Sequence, residues 1–152
     1  MRSAERLVLD SSVLIAAVMP AEPGHDSARP FVDRLRAAIA SGVASAFAPP
    51  ELWLEVHVVE QRLARSRRGG PTPGDAMRGL VVELVAPADM EEITGFLELL
   101  SRRMRGRRPF ANATDLVYLW AAQRAEATVV TLDEGMLAYH GVVCGVTRPQ
   151  HV

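Results

Sequence analysis

The chain is predicted to fold as an α/β domain with a mainly parallel sheet and helices on both faces. Three observations predict it. Short apolar runs rich in Val, Leu and Ala alternate with longer amphipathic patterns. The 152 residues suit one domain, here spanning 1–152. Hydrophobic residues make up 49% and charged residues 23%, a composition that supports a buried core and excludes a disordered tail.

The predicted strands are residues 6–10, 43–48, 81–86, 128–133 and 142–146. Each is short and mostly apolar throughout, as strands covered on both faces are. The first predicted helix, 12–18, follows the capping residues Asp10-Ser11-Ser12. Helix 27–41 places Phe31, Leu35, Ala38 and Ile39 on one stripe. Helix 50–66 does the same with Leu52, Val56, Val59 and Leu63, and helix 89–104 with Ile93, Phe96, Leu97 and Leu100. Helix 114–126 is apolar almost all round and is therefore expected deep in the structure. A short helix is expected after Asp133, and the Gly- and Pro-rich stretch 66–75 reads as a loop.

Composition removes several chemistries. All 17 basic residues are Arg. A P-loop and a pyridoxal Schiff base both need Lys, so neither is available. Phosphoaspartyl and response-regulator domains, which also use a Lys, drop out as well. The net charge of -1 excludes a histone-like excess, so nucleic acid must be met by a local patch. Cys144 is alone, and His25, His57, His140 and His151 match no metal-ligand spacing. No stretch approaches the ~18 apolar residues of a spanning helix. The run from Val13 to Met19 lacks the positive flank of a signal peptide. A soluble cytoplasmic protein with no membrane partner is expected.

Four acids then stand out. Asp10 and Asp133 end predicted strands, Asp115 opens the buried helix, and Glu55 lies beside an apolar helix stripe. In parallel sheets the ligand crevice lies beyond the carboxyl ends of the strands, where two of these acids project. Carboxylates gathered there repel and call for a cation. An all-oxygen donor set suits Mg²⁺ or Mn²⁺ rather than zinc. Each acid taken singly has a plainer account. Asp10 and Asp133 can cap the helices that follow them, Asp115 can serve its helix dipole, and Glu55 can pair with Arg62. The joint pattern favours a site.

With those residues the chain resembles the PIN-domain ribonucleases, and within them the VapC-type toxins of bacterial toxin–antitoxin pairs. Val8-Leu9-Asp10-Ser11-Ser12 is similar to the family's first-strand motif. Residues 49–56 (PPELWLEV) are similar to the segment carrying its helix Glu, which by position is Glu55, not Glu51. Residues 115–122 (DLVYLWAA) are similar to the third-acid helix and 129–133 (VVTLD) to the fourth-acid strand. The likeness runs from about Leu7 to Val146. His57 and Leu116 depart from the family pattern without removing a carboxylate.

The resemblance implies a PIN-like three-layer α/β/α sandwich. It implies Asp10, Glu55, Asp115 and Asp133 as catalytic acids holding one or two Mg²⁺ or Mn²⁺ ions. RNA is the implied substrate, a VapB-type antitoxin whose tail covers the site the implied partner, and a homodimer the implied assembly. Ser12 and Thr131 are candidate supports for the acids, with local capping or strand packing as the alternative. Two Arg clusters, Arg62, Arg65, Arg67 and Arg68, then Arg102, Arg103, Arg105, Arg107 and Arg108, can meet RNA phosphates or simply form solvated surface. Trp53, Trp120, Tyr118 and Phe110 read as core or dimer contacts. Two other functions share the same acids: a PIN nuclease of RNA processing that is not a toxin, and a catalytically silent binding module.

Overall fold

The computed structural model describes residues 4–66, 69–86, 89–104 and 112–152. Arg67, Arg68, Arg105, Arg107, Arg108 and Phe110 lie outside the described residues.

The elements run β1 (Glu5–Leu9), α1 (Ser11–Val18), α2 (His25–Ala40), β2 (Ala44–Ala48), α3 (Glu51–Arg65), α4 (Pro73–Met77), β3 (Val82–Leu84), α5 (Met90–Arg103), α6 (Ala113–Arg124), β4 (Thr128–Val130), α7 (Glu134–Leu137) and β5 (Gly145–Thr147). A 3₁₀ turn, Pro149–His151, follows. The five strands form one sheet in the order β3-β2-β1-β4-β5. Every pairing in it is parallel. Leu7, Val8 and Leu9 of β1 are fully buried, as a central strand covered on both faces requires.

This order has a functional consequence. From β1 the chain winds outward through β2 to β3, then crosses back to β4 and winds the other way to β5. Right-handed crossovers put the helices of the two halves on opposite faces, giving the expected α/β/α layers. Between β1 and β4 the winding reverses, and there the connections after the two strands part to leave a crevice at the carboxyl edge. Asp10 follows β1 and residues 131–133 follow β4, so both border that crevice.

The predicted helices form, with ends shifted by a residue or two. Phe31 and Leu35 of α2, Leu52 and Val56 of α3, and Phe96 and Leu100 of α5 are buried, whereas Leu97 turns outward. Deep burial of α6 is borne out by Tyr118, Leu119, Trp120, Ala121 and Ala122.

Three expectations need correction. The fifth strand, expected over 142–146, begins only at Gly145 and runs to Thr147. The fourth strand ends at Val130, three residues short of Asp133. Asp133 therefore stands at the N-cap of α7 instead of ending a strand. The loop expected over 66–75 gives way to α4 from Pro73. Pro is well suited to the first helical turn, and the Thr72 backbone N–H donates to Asp75 Oδ2 at 2.7 Å. Thr-Pro-x-Asp was thus a helix start concealed in a Gly/Pro-rich run.

Candidate active site

Asp10 has the backbone of an N-cap residue, yet its side chain makes no full capping hydrogen bond, the Ser12 N–H only helping to lower its pKa. Its Oδ2 instead accepts two hydroxyls, from Ser12 at 2.5 Å and from Thr131 at 2.6 Å. Both hydroxyls also accept a backbone N–H from the loop after β4. Ser12 Oγ takes that of Leu132 at 3.1 Å, and Thr131 Oγ1 that of Asp133 at 2.9 Å. The carboxylate is thereby built into the seam between the two central strands. Asp10 is 6% exposed and Thr131 0%. Burial raises the Asp10 carboxyl above the ordinary range, the two hydroxyls draw it partly back, and the nearby Glu55 charge raises it further.

Asp115 opens α6 in a capping box. Its backbone N–H donates to Asn112 Oδ1 at 3.1 Å, and its own Oδ2 accepts the Asn112 N–H at 3.4 Å. The plainer account of Asp115 as a helix-start residue therefore holds, but it is not the whole account. Burial first, and then the charges of Asp133, Asp10 and Glu55, raise its pKa, while the Asn112 N–H lowers it. Asp115 thus feels all three of the other acids.

Glu55 is half-buried on α3 and accepts the Tyr118 hydroxyl at 2.6 Å on Oε2. No ion pair with Arg62 forms among the described residues. Asp10 and Asp115 both feel the Glu55 charge. Asp133 is exposed, and its Oδ1 caps α7 by accepting Gly135 N–H at 2.6 Å and Met136 N–H at 3.1 Å. It sits at the outer rim and couples to Asp115.

The four acids thus share one electrostatic neighbourhood. Among the described residues, Asp10 accepts side-chain donors on Oδ2 and Glu55 on Oε2, while Asp115 accepts on Oδ2 and Asp133 on Oδ1. Among the described residues no three His, Cys, Asp or Glu side chains are arranged tightly enough to hold a metal ion. The donor chemistry nevertheless fits a hard cation, being all carboxylate and mutually repulsive.

Of the basic residues, Arg102 and Arg103 are exposed in the last turn of α5. Arg103 donates to the Val142 carbonyl at 2.7 Å and Arg102 to its own helix, at the Glu98 carbonyl, at 3.3 Å. Trp120 is buried, but Trp53 is 48% exposed and Leu54 68%, so α3 presents an apolar outer face. Sequence reasoning missed the role of Tyr118 beside Glu55. The available signal was its spacing of three from Asp115, which puts both on one face of α6. Among the described residues no helix is long and apolar enough to cross a membrane.

No family model and no curated protein sequence matches the chain. Solved structures do resemble it. VapBC2 from Rickettsia felis bound to a DNA fragment from its promoter matches at 13% identity and a TM-score of 0.58, covering 94% of this chain and 98% of that one. PAE2754 from Pyrobaculum aerophilum matches at 16% identity and 0.56, covering 99% and 90%. FitAB bound to an IR36 DNA fragment matches at 16% identity and 0.55, covering 96% of each. At these identities the likeness is one of architecture, and the chain has the PIN-like α/β/α fold it shares with them.

Proposed function

We propose that the chain is a metal-dependent ribonuclease, the toxin of a type II toxin–antitoxin pair, with a VapB-type antitoxin as its partner. The observation that supports this reading best is the shared field of Asp10, Glu55, Asp115 and Asp133 at the crevice where the sheet reverses its winding. These four side chains would hold one or two Mg²⁺ or Mn²⁺ ions. Such a cation, when bound, supplies an activated water and neutralises charge on a phosphodiester.

The chain's own residues do the positioning. Ser12 and Thr131 fix the Asp10 carboxylate by one oxygen, and Asn112 fixes Asp115 through the capping box. Arg102 and Arg103, near the acids in sequence, offset the repulsion between an acidic site and RNA. The exposed apolar face of α3, with Trp53, Leu54 and Val58, suits a second copy of the chain.

The test is RNA cleavage by the purified chain in Mg²⁺ or Mn²⁺, against the same reaction in excess chelator. Cleavage only with the metal is expected. Equal cleavage in chelator would remove the reading. The toxin assignment is tested separately by expression in a bacterial host. Growth arrest relieved by a small neighbouring gene supports it, and normal growth counts against it.

A further inference from the structure

Tyr118 is one of the most deeply buried large side chains, 1% exposed, yet it carries a polar hydroxyl where Phe would fill the same space. That hydroxyl donates to Glu55 Oε2 at 2.6 Å, across 63 residues of sequence. It is the one side-chain donor on Glu55 among the described residues. Glu55 needs an anchor. Its helix is largely a surface element, with Trp53, Leu54, His57 and Val58 exposed around it. Asp10 and Asp115 repel its charge, and a long side chain left to itself would swing outward to water.

We infer that Tyr118 is a positioning residue, whose phenol holds one oxygen of Glu55 at the acid cluster and leaves the second oxygen for a cation. The inference rests on the metal-site reading above. Asp115 and Tyr118 lie three apart, so a single face of α6 delivers both an acid and the anchor of another acid.

Mn²⁺ affinity, measured by calorimetry well below the melting temperature, tests this in the native chain and in Tyr118→Phe. Loss of a partner that orients a metal ligand typically weakens metal affinity 10–100-fold, and a loss of at least about tenfold is expected. A second measurement uses the native chain. With ¹³Cζ-labelled tyrosine the protein gives two ring signals, from Tyr118 and Tyr139, which Tyr139→Phe assigns. Titration with Mg²⁺ is expected to shift the Tyr118 signal, and this result stands even if Tyr118→Phe does not fold. Unchanged Mn²⁺ affinity in folded Tyr118→Phe overturns the role of Tyr118 alone, as does a Tyr118 signal unmoved by saturating Mg²⁺. Absence of Mn²⁺ binding by the native chain overturns the metal site and this inference together.

Discussion

Asp10 directly follows β1, and Asp133 stands three residues beyond the end of β4. Each follows a central parallel strand at the reversal of the sheet, and each stands at the N-cap of the next helix. Their side chains do opposite things. Asp133 caps α7 through two backbone N–H groups and is exposed. Asp10 makes no full capping hydrogen bond, is buried, and accepts two hydroxyls. The contrast shows that the place of an acid after a strand does not set its role; the donors that tertiary structure brings to it do. A charge held in the interior without a full capping hydrogen bond is the one that local stability does not explain.

Activity should separate the two ends of the cluster most sharply. Asp10→Asn keeps an acceptor for Ser12 and Thr131 but removes the charge. Its loss of metal-dependent RNA cleavage should exceed the roughly 100-fold that loss of an outer hydrogen-bonding partner costs. Undiminished cleavage in the purified variant would refute the site. Next, Thr131→Val removes a fully buried hydroxyl, leaving the Asp133 N–H without its partner and Asp10 with one hydroxyl donor, Ser12, in place of two. A loss of about 1–3 kcal/mol in denaturant unfolding is expected.

A smaller effect comes with pH. Asp10 and Asp115 have raised pKa values in the folded chain, so the folded state binds more protons than the unfolded one. Stability of the metal-free protein from these groups is therefore greatest below the ordinary aspartate value and falls as pH rises through the raised values. Thermal melts with chelator should show this fall flattened in Asp115→Asn; an identical slope would contradict it. Last, Asp133→Asn preserves the cap, since Asn caps about as well as Asp. Its unfolding free energy should change by no more than about 0.5 kcal/mol. Cleavage should nonetheless fall, which separates the cap from the charge.

Much of this was legible in the chain. Apolar runs located the strands of the sheet, and capping residues located the start of α1. The four acids could be singled out as candidates from the chain, Glu55 by position. The roles of the supporting groups were not. Ser12 and Thr131 had two readings from sequence, and only their convergence on one Asp10 oxygen chose between them. Tyr118 read as a core or dimer contact because an apolar helix hides a hydroxyl's partner when that partner is far away in the chain. The start of α4 was overlooked because Gly and Pro outweighed the cap signal in Thr72-Pro73.

By itself the sequence determined the alternation of strands and helices, the burial of β1 and α6, and an excess of acids without Lys or a His cluster. These follow from periodicity and residue chemistry, which act within a few positions along the chain. Only the tertiary structure decided that β1 lies beside β4, that Thr131 therefore reaches Asp10, and that Tyr118 meets Glu55. Those contacts span 63 and 121 residues, and no local pattern specifies which distant donor a buried carboxylate will find.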